Sequence, residues 1–420
     1  MMALDFVLPA GLEASEPPPV RDGVRLLVAS AGGVRHARFG QLGEFLAPGD
    51  LVVVNTSATL AAAVAGNRAG VPVEVHFSAE LDDGAWVVEV RPAGVSAGPV
   101  AGLRRGEVIN LDAAAGLIAD RPQPAGQDRL WRARPRIDGG VSAFLARHGR
   151  PIRYAYVPRP WPLAEYQTVF AREPGSAEMP SAGRPFTGQV VTDLMTRGVV
   201  VAPVVLHTGV SSQEPGEPPQ PERFRVPAAT ARLVNSTREA GGRVIAVGTT
   251  VTRALESAAD QDGAVDPDST VRARHGWTDL VLGPSRPAGV VTGLVTGWHA
   301  PGASHLALLA AVAGGTIVER AYAEALRMGY RWHEFGDSCL LLPLLRAALP
   351  ASQVPAALIK RGADIPGRPL DGRQAADDGN DRAIIADSLA RSHEVPGIFG
   401  GLGRVRLLLA RQSRILVGRR

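Results

Sequence analysis

The stretch from Gly242 to Ala258, GRVIAVGTTVTRALESA, restricts the possible folds of this chain more than any other. Arg243 to Val247 is a short β-branched apolar run of the kind that forms a buried strand. Gly248-Thr249-Thr250 interrupts it, and Val251 to Ala258 then places apolar residues at helical spacing. Strand, turn and helix in that order predict one unit of an α/β sheet. The turn of such a unit lies at the carboxyl end of its strand, where backbone N–H groups and small hydroxyls hold polar or anionic ligands. Arg253 and Glu256 are three apart and share a helix face, which fits either a surface ion pair or a pair facing a ligand one turn beyond the loop.

With 420 residues, 45% hydrophobic and 20% charged, the chain has enough apolar surface for two or three domains with real cores. Cys339 is the single cysteine, which excludes an intrachain disulfide and a cysteine-based zinc cluster and matches a reducing compartment. The opening MMALDFVLPAGLEASEPP has no basic region, and the longest apolar run, Leu306 to Ala313, is far short of the ~18 residues of a membrane span. The chain therefore reads as cytoplasmic, without a membrane partner, and we take it as a monomer. A net charge of +4 permits an anionic partner such as RNA without requiring one.

Along the chain, strands are expected at Arg25–Ala29, Val34–Phe39 and Leu51–Val54, with a short helix at Gln41–Leu46 and a Pro-Gly-Asp turn at 48–50. From Thr59 to about Pro151 the pattern changes to short alternating runs, VPVEVHFSA, AWVVEVRP, EVINL, LIAD and RLWRARP, divided by Gly, Pro and Asp. These predict a small antiparallel barrel or sandwich. Helices are expected at Gly188–Arg197, Pro227–Ala240, Ser304–Ala313 and Thr316–Met328, and strands at Val199–Leu206 and Gly289–Val295. The Pro-rich acidic run SSQEPGEPPQPE, 211–222, reads as a connector. Beyond it, 346–420 is a C-terminal extension with a helix expected at Ala383–Arg391. Its glycines at 397, 400, 401 and 403 read as loop, because no strand precedes them.

Several segments together resemble one family. VIAVGTT followed by Arg253 and then LES, the opening LDFVLP, and LAPGDLVVVN are similar to segments of the S-adenosylmethionine:tRNA ribosyltransferase-isomerases of queuosine biosynthesis. So are YQTVFA at 166–171, PGS at 174–176, PSAGRPFT at 180–187, TGWHAP at 296–301 and the closing Tyr330-Arg331 with Phe335-Gly336-Asp337. The resemblance implies an α/β fold in which a large mixed, barrel-like α/β domain (1–57 and 152–345) carries an inserted small antiparallel β-barrel (58–151). It also marks departures. Ala58 stands where the family has arginine, Pro185 where it has histidine and Gly302 where it has lysine, and 211–221 replaces a segment with two histidines, keeping only Glu222.

The activity implied is transfer and isomerisation of the ribosyl group of S-adenosylmethionine onto 7-aminomethyl-7-deazaguanine in tRNA, releasing adenine and methionine. S-adenosylmethionine and tRNA are the partners, and no cofactor is required. The sulfonium acidifies the C5′ hydrogens, so a base is needed. His299 and His207, both at strand ends, and Glu222 are the candidates. Ser181, Gly183, Thr249, Thr250 and Arg253 are expected to line the S-adenosylmethionine pocket, Arg253 through its planar fork, and Asp337 to accept from a ribose hydroxyl. The departures leave two alternatives open: a paralogue that uses S-adenosylmethionine with a different small-molecule acceptor, and a non-catalytic binding or scaffold protein.

Overall fold

The computed structural model describes residues 6–94, 98–112, 114–210, 220–259 and 270–343. The helix expected at 383–391 and the glycine cluster after it lie outside the described residues. A hairpin of β1 (Arg25–Ser30) and β2 (Gly33–Arg38) opens the fold, and a 3-10 segment, Phe39–Glu44, leads to β3 (Leu51–Asn55). All five residues of β3 are buried, as a continuous apolar run bounded by turns requires. Asp50, 1% exposed, sits just before β3. It accepts the backbone N–H of Arg243 at 3.0 Å and pairs with the same guanidinium, Nε–Oδ2 3.0 Å. Arg243 thus seals the strand start rather than belonging to the strand.

After β4 (Ser57–Thr59), the alternating segment forms β5 (Ala63–Arg68), β6 (Val71–Glu80), β7 (Trp86–Pro92), β8 (Val108–Leu111), β9 (Gly116–Pro122) and β10 (Leu130–Arg136). They close into a six-stranded antiparallel barrel in the order β10-β7-β6-β5-β8-β9. Val73, Val75 and Phe77 of β6 and Trp86, Val88 and Val90 of β7 fill its core, alternate residues turning inward.

The chain returns through α1 (Val141–His148) and β11 (Glu173–Ser176), which pairs in parallel with β4. Next come α2 (Gly188–Thr196), capped by the Thr187 hydroxyl accepting from Val190 N at 3.3 Å, then β12 (Val200–Leu206), β13 (Glu222–Val226) and α3 (Ala228–Glu239). The chain then forms β14 (Val244–Val247), α4 (Thr249–Ala259), β15 (Arg274–Thr278) and β16 (Gly293–Thr296), and closes with α5 (His305–Ala313), α6 (Gly315–Arg327) and β17 (Ser338–Leu342).

Nine of these strands form one mixed sheet, β15-β13-β12-β3-β14-β16-β17-β1-β2. It is open, with β15 and β2 at its edges, and the closed barrel is the inserted one. β3, β12, β14 and β16 are mutually parallel, so their carboxyl ends gather along one edge. Among the described residues no single helix is long and apolar enough to cross a membrane.

Two sequence expectations change. Glu222 is the first residue of β13, paired opposite Thr278, rather than part of the connector. The strand expected at Gly289–Val295 begins only at Gly293. The N–H groups of Gly289, Val290 and Val291 turn instead to the Glu256 carboxylate, at 3.0, 3.0 and 2.9 Å.

Candidate active site

At the carboxyl ends of the parallel strands lies a cleft of about 400 Å³, bounded on the other side by residues 151–156 and the 177–182 turn. Gly248 makes its floor. At φ +94° it adopts a conformation that β-carbon-bearing residues rarely hold, and a Cβ there would stand 3.3 Å from that of Ala182. The turn lets α4 begin at once, so Thr249 and Thr250 lie in its first turn with their N–H groups free of helical partners. Asn55, buried at the end of β3, joins the strand ends. Its amide donates to Leu206 O (2.8 Å) and to Thr250 Oγ1 (3.5 Å), and its carbonyl accepts from Leu206 N (3.1 Å) and Ser57 N (3.0 Å).

Six residues singled out from sequence line this cleft: Ser181, Glu222, Thr249, Thr250, Arg253 and His299. They come from segments far apart in the chain. His299 is held through its backbone, N–H to Tyr322 Oη at 3.2 Å and C=O to Trp332 Nε1 at 3.1 Å, while its Nε2 lies 3.1 Å from Thr296 Oγ1. Its ring stacks on His305, centroids 4.5 Å apart and planes within 1°. Burial first, then His305 and His333, hold the His299 imidazole well below its usual value, and burial takes His305 down to about 4. At neutral pH both rings are neutral, and so able to accept a proton.

Arg253 and Glu256 are not a surface pair. Both are buried on opposite duties of α4. Arg253 donates Nε to Leu280 O (3.1 Å) and NH2 to Thr278 O (3.0 Å) and Gln220 O (3.3 Å), and its NH1 pairs with the Glu222 carboxylate. With four of its five donors engaged inside the protein, Arg253 holds Glu222 rather than offering a free fork to a ligand. Glu222 also accepts Gly209 N at 3.2 Å, and burial raises its carboxyl above the usual range against the pull of Arg253.

Three expected residues stand outside the cleft lining. Gly183 is buried in the 3-10 turn Ser181–Gly183, behind the exposed edge. His207 Nδ1 meets Ser57 Oγ at 2.7 Å, which meets Ser176 Oγ at 2.6 Å, and its ring packs so closely on Gly175 that a Cβ there would lie 2.4 Å from Nδ1. Asp337 is fully committed to the end of β1. It accepts Arg25 N (2.8 Å), Arg25 Nε (3.0 Å) and Arg331 N (2.8 Å).

The cleft also contains residues that sequence reading passed over: Tyr154, Tyr156, Glu178, His305, His333 and Glu334. Tyr154 donates to Glu178, and Tyr156 to Glu334 Oε2 at 2.7 Å. Burial, with Glu178 nearby, pushes Glu334 up to about 7. No motif spacing announces these residues, because Tyr154 and Tyr156 precede the signature segments and Glu334 sits inside a run read only for its flanking aromatic residues. Among the described residues no group of three or more His, Cys, Asp or Glu is arranged to hold a metal ion.

A protein-family model described as queuosine biosynthesis protein matches residues 1–341. A protein of Acidiphilium cryptum named S-adenosylmethionine:tRNA ribosyltransferase-isomerase is 37% identical over 80% of this chain and 97% of its own. One of the same name from Symbiobacterium thermophilum is 35% identical over 80% and 98%. A crystal structure of an S-adenosylmethionine tRNA ribosyltransferase from Thermotoga maritima aligns with 30% identity over 80% of this chain and 99% of that one, at a TM-score of 0.45. With the family match running through every strand of the sheet from β1 to β16 and most of β17, this chain belongs to the queuosine biosynthesis protein family.

Proposed function

We propose that the chain is an S-adenosylmethionine-dependent ribosyltransferase-isomerase acting on 7-aminomethyl-7-deazaguanine in tRNA, with release of adenine and methionine. One observation carries the reading. Ser181, Glu222, Thr249, Thr250 and His299, drawn from four separate segments of the chain, meet in one cleft at the carboxyl ends of the parallel strands, where open α/β sheets collect ligands. The relatives' printed names supply the reaction class.

In this reading the first turn of α4, with Thr249 and Thr250, receives a polar group of S-adenosylmethionine. His299, neutral and fixed at both backbone ends, takes a C5′ proton beside the sulfonium at its ring nitrogen. Glu222, held by Arg253, is the second base and the acceptor for a proton relayed from the incoming amine. His207 and Asp337 act on this site only through the framework: His207 fixes the Ser57–Ser176 contact and Asp337 fixes Arg25.

A different small-molecule acceptor is the second reading. It is favoured by Arg253, the one arginine among the described cleft residues, being engaged internally, and by Ala58 and Gly302 in place of the family's cations. The test is adenine release from S-adenosylmethionine, with and without deazaguanine-modified tRNA. His299→Ala is expected to lower the rate ~10²–10³-fold, as loss of a positioned base does. Equal rates in parent and variant would remove His299 from the mechanism. A parent that releases no adenine under either condition would leave a non-catalytic binding role as the better account.

A further inference from the structure

One tight turn on the cleft carries a carboxyl group that the proposed proton transfers leave unused. Glu334 stands between two clamped neighbours. His333 adopts a left-handed backbone, φ +70°, which a residue with a β-carbon holds only under constraint. Its C=O accepts Gly336 N at 3.0 Å, its Nε2 meets Glu13 Oε1 at 3.0 Å, and its ring stacks on Tyr156 at 4.1 Å and 12°. On the other side Phe335 is 3% exposed, with the Tyr166 ring at 5.2 Å and the Arg184 guanidinium at 5.0 Å. With both neighbours fixed, Glu334 borders the cleft, and Tyr156 Oη donates to its Oε2 at 2.7 Å. Its Oε1 has no hydrogen-bond donor among the described residues. Arg184, the one cation whose charge reaches Glu334, gives its own hydrogen bonds to Glu165 (Nε–O 3.2 Å, NH2–Oε2 3.0 Å).

A separate observation points to a missing partner. Tyr166 borders the same cleft, is 4% exposed, and its hydroxyl is buried without a hydrogen bond. Burial and then the charge of Glu334 push that phenol up to about 12, so at neutral pH it keeps its proton and has a donor to offer. Buried hydroxyls are almost always satisfied. A carboxyl group with one free oxygen and a neighbouring unused hydroxyl suit a ligand that brings N–H donors for the first and an acceptor for the second.

We infer that Glu334 and the Tyr166 hydroxyl form a subsite that reads the edge of a 2-amino-4-oxopyrimidine ring, the carboxylate accepting two adjacent N–H groups and the hydroxyl donating to the ring carbonyl. The inference rests on the reading of the cleft as the transferase site and names the residue that selects its acceptor. A planar carboxylate takes two parallel N–H donors in bidentate fashion, and the order carbonyl, N–H, N–H is the one a deazaguanine presents. The adenine of S-adenosylmethionine offers one N–H beside a ring nitrogen that is itself an acceptor, so it satisfies an ionised carboxylate at one position only. Burial raises the empty site's Glu334 to about 7, and two N–H donors favour its charged form. A phosphate or free carboxylate would meet like charge.

The test is calorimetric titration of the full-length protein with 7-aminomethyl-7-deazaguanine as the free base, with its counterpart lacking the 2-amino group, and with S-adenosylmethionine. The same titrations are run on Glu334→Gln and Tyr166→Phe after their thermal unfolding has been checked. The parent is expected to bind the 2-amino base at least ~tenfold more tightly than the counterpart. In Glu334→Gln, whose amide turns a donor toward one of the ligand's N–H groups, that ratio falls below ~threefold while S-adenosylmethionine is unchanged. Tyr166→Phe weakens both bases ~threefold and keeps the ratio, because the carbonyl is common to them, and it carries the test should Glu334→Gln not fold. A parent that binds the two bases alike, or neither, overturns the inference, as does a ratio that survives Glu334→Gln. If S-adenosylmethionine weakens in Glu334→Gln while the bases do not, the carboxyl group serves the adenine and the inference falls. Adenine release by a parent that does not discriminate the bases leaves the transferase reading intact. Glu334-dependent discrimination in a protein that ignores S-adenosylmethionine upholds the subsite and refutes the transferase reading.

Discussion

Arg253 spends its guanidinium on partners inside the protein at the edge of the cleft. It reaches from the middle of α4 to two carbonyls at the β15 end, to Gln220, and to Glu222 at the start of β13, so it ties α4 to the neighbouring ends of β13 and β15. Arg253→Ala strips the counter-ion from a buried carboxylate and frees three carbonyls. The expected cost is ~3–5 kcal/mol, read by chemical denaturation, with adenine release falling in the protein that stays folded. A loss below ~1 kcal/mol would mean that Glu222 is solvated instead. Glu256, four residues from Thr252 on the same helix, works differently: three backbone N–H groups converge on it. Sequence placed Arg253 and Glu256 on one helix face. Their partners lie 25 to 35 residues away, beyond the reach of any local pattern.

At the scale of elements, the strand–turn–helix unit β14–α4 governs the cleft, and its geometry depends on Gly248. An added Cβ there would force a left-handed backbone on a residue that disfavours it and would crowd Ala182. Gly248→Ala is expected to destabilise the fold by ~1–2 kcal/mol and to weaken S-adenosylmethionine, because the N–H groups of Thr249 and Thr250 would turn from the cleft. Calorimetry beside a melting curve checks both, and unaltered affinity would separate the α4 terminus from ligand binding. Helix-forming segments were legible because their apolar spacing is a local property: α2, α3, α5 and α6 appear within a residue or two of expectation. β5, β13 and β17 were not. Gly66 and Asn67 in β5 and the charges of β13 break the alternation, and β17 follows a signature run whose own pattern dominates.

For the whole molecule, buried titratable groups set opposing pH dependences. His207, His299, His305 and His333 are all held below the ordinary imidazole value of 6.5, burial being the first cause in each. They bind fewer protons folded than unfolded, so the stability they allow at neutral pH is lost as pH falls below 6.5, for His305 down to about 4. Glu222, Glu256 and Glu334 are raised by burial and bind more protons folded, so their contribution is lost as pH rises above 4.5, for Glu334 up to about 7. Melting temperatures of Glu334→Gln and parent should therefore diverge with pH, the variant gaining ~2–4 °C relative to the parent from pH 5 to pH 8. His305→Asn should gain relative to the parent in the opposite direction, from pH 7 to pH 5. A difference that stays constant with pH would contradict the assigned shifts. The sequence by itself determined the α/β class, the alternating strands of the inserted β segment, the β14–α4 unit and six of the residues on the cleft, because periodicity, turn chemistry and short motifs are written in neighbouring residues. Only the tertiary structure decided that Asp337 and His207 brace the framework, that Arg253 is engaged by Glu222, and that Tyr154, Tyr156, Tyr166, Glu178 and Glu334 share one end of the cleft. Those outcomes depend on burial and on pairing between distant segments, which no local stretch of the chain encodes.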